Sequence, residues 1–268
     1  MPAPDKRSLP GRARAAVRYR IRQTGNARTS QELTSVAAAS LSDGHEGVLD
    51  CIFAANEHGA YCVPRSAYFR PAAQAILSAN VWEARTIEFI RGVAGNVVTA
   101  GTFFGDFLPA LSRSRPDHTV WAFEPNRESF RCASVTLLLN DTQNVRLRHA
   151  GLTDAPGGGF VRIVDASGRA LGGGSRLVEQ PDERGEAVPL ATIDEVVDEP
   201  LALIHLDVEG HERQALTGAM RTIERDRPLL VLETLPDADW VAQHLTPLGY
   251  AERSPLDDNH VLTVGEPS

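Results

Sequence analysis

Cysteine is scarce in this chain. Its 268 residues include three, Cys51, Cys62 and Cys132. They are odd in number and far apart, and no CxxC pair occurs. That pattern argues against a disulfide framework or a structural zinc site and for a reducing compartment. Long apolar runs are missing too. None reaches the roughly 18 residues needed to cross a bilayer, and the basic N-terminus is not followed by the apolar stretch of a signal peptide. The expected location is the cytoplasm. No HExxH is present, which removes a zincin site, and no Gly-Lys-Ser/Thr follows a glycine loop, which removes a P-loop.

The composition present is ordinary for a soluble globular protein, 42% hydrophobic and 23% charged, enough to build a core without staples. The net charge of −8 is unevenly spread: residues 1–30 hold eight basic side chains against Asp5, a charge of +7, and the remainder carries −15. An acidic body does not suit nucleic-acid binding, so none is expected. The arm of residues 1–30 reads as a tail that is flexible or that touches a neighbouring subunit, leaving a homo-oligomer open.

Residues 31–94 read as an N-terminal extension of hairpin and helices. "GVLDCIFAANEHGAYCVPRSAYF" places β-prone runs around "NEHG", and "RPAAQAILSANVWEARTIEFIRGV" has helical periodicity. From residue 95 to 268 strands and helices alternate. "NVVTAG", "HTVWAFEP", "NVRLRHAGL", "LALIHLDVEG" and "RPLLVLET" read as strands, with helices between them and "YAERS" and "HVLTV" as a closing pair. A glycine-rich hairpin insert near 156–189 stands where a crossover helix would otherwise lie. The alternation predicts an α/β fold: a doubly wound, mostly parallel sheet with an antiparallel closing strand, helices on both faces and the small α/β extension ahead of it. Ligands in such sheets bind at the carboxyl ends of the strands.

Three stretches at strand ends carry candidate chemistry. In "AGTFFGD", Gly101 permits a tight turn and Gly105 is expected to open a helix whose free N–H groups face a ligand. Close strand–helix packing would explain both glycines equally well. Glu124, ending "VWAFE", lies where an acid accepts hydrogen bonds from a ribose, or it caps the helix expected after Asn126. "HLDVEGHE" brings Asp207, Glu209, His211 and Glu212 to one strand end, with His205 on the same strand face as Asp207. Such a group can serve as general base, substrate anchor or hard-metal site; equally, acids favour a helix N-terminus and His205 suits a core.

The order of "VVTAGTFFGDF", "VWAFEPNRESF", "LLLN", "VPLATIDEV", "LIHLDVEGHERQALTGA" and "PLLVLE", from Val97 to Glu233, resembles the FkbM-type methyltransferases. The resemblance implies a class I, Rossmann-like methyltransferase that uses S-adenosyl-L-methionine and methylates a hydroxyl of a sugar, glycoconjugate or natural product. By position it implies Gly101, Thr102 and Phe103 along the methionine part of the cofactor, Glu124 on the ribose, Gly151 and Leu152 beside the adenine, and Asp207 near the sulfonium and the acceptor, with Ala100 also a cofactor contact. Glu83 would reach the amino-acid end. Asp207, His211 and Glu209 are the candidate general bases; no metal ligand is assigned, although Asp207 and Glu233 could hold a divalent ion. The family's "D-x-G-A-N-x-G" is here "T-A-G-T-F-F-G", so Thr99 and Phe103 depart from it, and Asp106, Glu83 or a backbone carbonyl would have to meet the ammonium. An NAD(P)-dependent oxidoreductase is the rival, but it would need G-x-G-x-x-G. A noncatalytic adenosyl-binding protein of the same fold is the third reading. The insert, Gly157 to Gly174, has the glycine density of a lid.

Overall fold

The computed structural model describes residues 49–181, 183–253 and 255–265. The basic arm and residues 31–48 of the expected extension lie outside these.

The described chain opens on a hairpin, β1 (Cys51–Asn56) and β2 (Gly59–Pro64), around the expected "NEHG" turn. Asn56 Oδ1 accepts the His58 N–H at 2.8 Å, an Asx turn. The region with helical periodicity is two helices, α1 (Pro71–Leu77) and α2 (Ala84–Gly92). The break between them contains Ala79 and Glu83 in the left-handed region, with φ of 61° and 47°. Helix α1 begins on Pro71, whose missing N–H costs nothing in a first turn.

The first strand of the main sheet is β3 (Asn96–Ala100), followed by α3 (Leu108–Ser114), β4 (Val120–Phe123), α4 (Arg127–Leu139) and β5 (Val145–Arg148). Helix α3 starts three residues after Gly105, so Gly105 does not open it as expected; Pro109 lies in its first turn. Asn126 caps α4 by accepting the Ser129 N–H at 3.1 Å.

The expected third strand stops at Arg148. Gly151 and Leu152 form β6 (Gly151–Leu152) in a second sheet with β7 (Gly157–Arg162), β8 (Arg176–Val178) and β9 (Gly185–Ala191), in the order β6-β9-β7-β8. The insert is thus a small sheet and not a lone hairpin. Gly157–Gly159 are held in the β7–β9 ladder. Gly172–Gly174 form a 3-10 turn packed on Phe103; a Cβ at Gly172 would sit 2.9 Å from that ring.

Helix α5 (Ile193–Val196) leads to β10 (Leu201–Leu206), α6 (Glu212–Thr217), α7 (Met220–Asp226), β11 (Leu229–Leu232), α8 (Ala238–His244), β12 (Tyr250–Glu252) and β13 (His260–Val264). The single helix expected over "HERQALTGAMRTIE" is two. It breaks at Gly218, where a Cβ would lie 2.0 Å from the Thr153 carbonyl oxygen.

The seven-stranded sheet runs β12-β13-β11-β10-β3-β4-β5. Strands β5, β4, β3, β10 and β11 pair in parallel, and β13 is antiparallel to both its neighbours. The expected sheet, with its antiparallel closing strand, is therefore present. Successive residues face opposite layers. On β3, Val97 packs with Phe107, Leu108 and Leu203, whereas Val98 packs with Ile204, Leu216 and Trp240. Each such aliphatic side chain, moved wholly out of water, contributes about 1.5–3 kcal/mol.

The hairpin shares a core with the sheet's helices. Phe53, Tyr61 and Cys62 pack with Phe104, Cys132 and Leu139. The Cys62 N–H donates to Thr136 Oγ1 at 3.0 Å, and Asn140 bridges to both Ala60 backbone groups. The strand order reverses between β3 and β10, so their carboxyl ends form the crevice where the site must be sought.

Candidate active site

Two cavities meet at that crevice. The larger, of about 200 Å³, is lined by Arg70, Trp82, Glu83, Thr99, Gly101, Thr102, Phe103, Asp106, Phe107, Gly173, His205, Asp207, Glu209, Glu233 and Asp258, with Pro71 and Ala72. The smaller, of about 20 Å³, is lined by Ala100, Gly101, Phe123, Glu124, Pro125, Ala150, Gly151, Leu152, Asp207 and Val208, with Gly173, Ser175 and Leu177 from the insert. Gly101, Gly173 and Asp207 belong to both.

The sheet itself delivers the carboxylates. The ladder continues past the strand ends: Asp207 N–H donates to the Ala100 carbonyl at 3.1 Å, Glu233 N–H to Leu206 at 3.0 Å and Glu124 N–H to Arg148 at 3.1 Å. Strands β4, β10 and β11, with β3 between the first two, therefore present Glu124, Asp207 and Glu233 along one edge. After Asp207 the chain turns through Glu209 (φ 55°) and Gly210 (φ 90°), and the His211 N–H returns to Val208 O at 3.3 Å. Glu83, Phe103 and Glu209 all line the larger cavity in left-handed backbone, a conformation costing about 1–3 kcal/mol per non-glycine residue. Strain of this kind is retained where the surroundings hold a side chain in a needed direction.

Glu124 is buried, and both its oxygens are engaged. Oε2 accepts the Phe103 N–H at 2.7 Å and Oε1 the Asn126 N–H at 2.9 Å. It thus ties the glycine loop to the start of α4, and it also lines the smaller cavity. Burial pushes its pKa up to about 8. Asp106, also buried, is pushed up to about 7. Burial first, and then the neighbouring Glu233, raise Asp207 well above the usual carboxylate range. Glu83 and Glu209 are raised by burial as well.

Thr99 has a local explanation. Its Oγ1 lies 2.9 Å from Nδ1 of His205, its register partner on β10. Burial lowers the His205 pKa to about 4, so the ring is neutral, and it stacks on Phe107 at 5.5 Å. A hydroxyl suffices for an uncharged imidazole. Phe103 fills the space under the insert's glycine turn, and only its backbone N–H reaches Glu124.

All nine expected cofactor-contacting residues (Glu83, Ala100, Gly101, Thr102, Phe103, Glu124, Gly151, Leu152 and Asp207) line one cavity or the other. Of the expected general bases, Asp207 and Glu209 stand together with Glu233. His211 does not join them: its Nε2 lies 3.2 Å from Thr153 Oγ1, and it lines neither cavity. It precedes α6, and the turn that exposes Glu209 rotates it towards β6. Sequence reading missed Arg70, Trp82, Ser175 and Leu177, because these come from the two parts without familiar motifs; Gly173 falls within the glycine-rich stretch read as a lid. No motif in the sequence marks the missed residues; Trp82 is 39% exposed in the structure.

The buried groups make stability depend on pH. Unfolded, Glu and Asp titrate near 4.5 and 3.8; folded, Glu124 and Asp106 titrate near 8 and 7. The folded chain therefore retains protons that the unfolded chain has released, and this stabilisation is lost as pH rises through 7 and 8. His205 acts oppositely, its contribution present above 6.5 and lost as pH falls towards 4. At pH 6 the two carboxyls outweigh the imidazole. Urea unfolding of the ligand-free chain is expected to give about 3 kcal/mol more stability at pH 6 than at pH 8. Equal or greater stability at pH 8 would refute the buried-carboxyl account.

Residues 98–251 match the methyltransferase FkbM domain, more than half of the chain. A methyltransferase FkbM structure from Methylobacillus flagellatus KT is 19% identical, with a TM-score of 0.43, over 63% of this chain and 43% of that one. The Pyrococcus abyssi tRNA (uracil-54, C5)-methyltransferase, solved in complex with S-adenosyl-L-homocysteine, is 12% identical, with a TM-score of 0.44, over 81% of this chain and 44% of that one. A precorrin-6y C5,15-methyltransferase from Geobacter metallireducens GS-15 is 14% identical, with a TM-score of 0.39, over 69% and 87%. The chain thus spans less than half the length of the first two. No curated protein matches it. Among the described residues no helix is long and apolar enough to cross a membrane. The fold is that of the class I S-adenosylmethionine-dependent methyltransferases, and by the match over residues 98–251 the chain belongs to the FkbM methyltransferase family.

Proposed function

We propose that this chain methylates a hydroxyl group of a small acceptor, a sugar, glycoconjugate or natural product, using S-adenosyl-L-methionine. The observation that carries this reading is the position of Asp207 on the wall common to both cavities. A base there touches acceptor and donor alike.

The residues suit the cofactor chemically. Ala100, Gly151 and Leu152 offer apolar surface for an adenine, Glu124 offers acceptor lone pairs to ribose hydroxyls, and Glu83 and Asp106 face an ammonium from the larger cavity. The smaller cavity, at about 20 Å³, has room for little more than one water. Leu177 walls it and packs on Gly151, where a Cβ would lie 2.7 Å from that side chain. Binding an adenosine therefore requires the insert segment around Gly173–Leu177 to withdraw, which is the sense in which the insert acts as a lid.

The bound cofactor supplies an already activated methyl group. The protein's part is alignment, which can supply up to about 7–11 kcal/mol in favourable cases, together with removal of the acceptor's proton. Asp207 takes that proton. Its raised pKa brings its basicity nearer to working pH than an exposed carboxylate's. Trp82, Phe103 and Phe107 supply the apolar walls against which the acceptor lies.

Parallel calorimetric titrations with S-adenosylmethionine, S-adenosylhomocysteine and NAD test the cofactor. Both adenosyl compounds are expected to bind and NAD not to; binding of NAD alone would overturn the reading. In Glu124→Gln, adenosyl affinity is expected to fall by about 1–3 kcal/mol, and an unchanged affinity would remove Glu124 from the ribose.

A further inference from the structure

Glu83 stands at the start of α2 without capping it. Its backbone is left-handed, with φ of 47°, and its side chain accepts no N–H of the helix's first turn. The cap comes from near the other end of the chain. Asp257 Oδ2 accepts the Thr86 N–H at 2.9 Å and the Thr86 hydroxyl at 3.0 Å. That satisfies a first-turn donor and sets an acid at the positive end of the helix. Glu83 is thereby free of the capping role that its position would otherwise give it.

The same turn directs the Glu83 carboxylate elsewhere. Leu256 and Asn259 exchange both backbone hydrogen bonds at 2.9 Å, and Asp257 between them is left-handed, with φ of 53°. Asn259 is 2% exposed and lines neither cavity. Its Nδ2 donates to Glu83 Oε2 at 2.9 Å and to Thr86 Oγ1 at 3.3 Å, so both amide hydrogens go to the start of α2. The first of these bonds is to a carboxylate, the stronger kind. Glu83 itself lines the larger cavity, and among the described residues its Oε1 has no hydrogen-bond partner. Burial favours a proton on Glu83, and Asp257, Asp258 and Glu233 add to that; the Asn259 amide opposes them.

We propose that Asn259 is a positioning residue: by holding Glu83 Oε2 it turns the other oxygen of that carboxylate to meet the ammonium at the amino-acid end of the cofactor. This role rests on the proposed use of S-adenosyl-L-methionine. A glutamate has three side-chain torsions to order, and fixing them before the ligand arrives removes part of the cost of binding. Asn259 does this from 176 residues away in sequence, through a turn whose backbone is closed on itself.

Calorimetric titration of the full chain with two ligands tests the role. S-adenosylhomocysteine carries the ammonium; methylthioadenosine keeps the adenosine and the thioether but lacks the amino-acid end. Glu83→Gln and Asn259→Leu are each expected to weaken S-adenosylhomocysteine binding by about tenfold, the scale of one hydrogen bond to a charged group, and to leave methylthioadenosine within about threefold. Asn259→Leu roughly keeps the shape of the side chain and removes both donors. Thr86 retains Asp257, so far-UV circular dichroism is expected to stay unchanged. The double variant is expected to bind S-adenosylhomocysteine no more weakly than the weaker single variant, because Asn259 acts only through Glu83. If Asn259→Leu does not fold, Asn259→Ala is read in the same way. Unchanged S-adenosylhomocysteine affinity in the Asn259 variant, an equal loss for both ligands, or additive losses in the double variant would each overturn the proposal. A parent chain that binds neither adenosyl compound sinks the functional reading and this role with it. A parent chain that binds S-adenosylhomocysteine, with Asn259 variants that bind it equally well, sinks this role alone.

Discussion

Gly101→Ala is expected to destabilise the chain by about 2–6 kcal/mol, combining a left-handed non-glycine residue with a core overlap. Gly101 has φ of 79°, and a Cβ there would lie 1.6 Å from the Asp207 carbonyl oxygen and 2.7 Å from its carbonyl carbon. Neither neighbour is a flexible side-chain end. Both are backbone at the point where β3 and β10 leave the sheet. To relieve the overlap the two strand ends must part, breaking the Asp207 N–H bond to Ala100 and displacing the carboxylate that both cavities share. Against the roughly 5–15 kcal/mol that holds a domain together, such a loss is large. Urea unfolding measures it, and a loss below about 1 kcal/mol would show that the strand ends are not locked together. Adenosyl affinity is expected to fall with it.

Asp207→Asn is expected to lower kcat by about 10²–10⁴-fold, the usual contribution of a positioned acid or base. The change is nearly isosteric and keeps the backbone bonds that place the residue. S-adenosylhomocysteine affinity is therefore expected to stay within a few-fold, and the loss to appear in kcat more than in KM. The assay is release of S-adenosylhomocysteine with a hydroxyl acceptor that the parent chain turns over. Parental kcat in this variant would transfer the role to Glu209, whose own substitution would then carry the effect. His211→Ala is the internal control, because its ring faces Thr153 and not the cavities.

The sheet was legible in the sequence because burial on both faces writes itself as continuous apolar runs, such as "LALIHL" and "LLVL", and because caps are local: Asn126 needs only Ser129 to be read correctly. Two acids of the candidate site were legible for a similar reason. A strand end is a position in the sequence, and Glu124 and Asp207 occupy two of them. Other features depend on distant contacts. Nothing near Gly218 says that Thr153 presses against it and splits a helix in two. Nothing near Thr99 says that a neutral histidine is its partner. The placement of His211 turned on one left-handed glutamate, and the sequence pattern of an acid-rich turn does not distinguish which side chain that twist will bring inward. The small sheet of the insert was hidden by its glycines. They read as hinges, whereas Gly157, Gly158 and Gly159 sit in a ladder and Gly172 and Gly173 are pressed against Phe103.

Gly173 remains to be followed to its consequence. It walls both cavities, on a segment that also carries Ser175 and Leu177 into the smaller one. On the proposed function, displacing that segment for an adenosine also redraws the chamber assigned to the acceptor. The proposal therefore makes occupancy of the two chambers thermodynamically linked, and the linkage reciprocal: the factor by which cofactor changes acceptor affinity equals the factor by which acceptor changes cofactor affinity. The proposal then makes acceptor selectivity a property of the liganded chain, so acceptors are to be ranked with the cofactor product bound as well as without it.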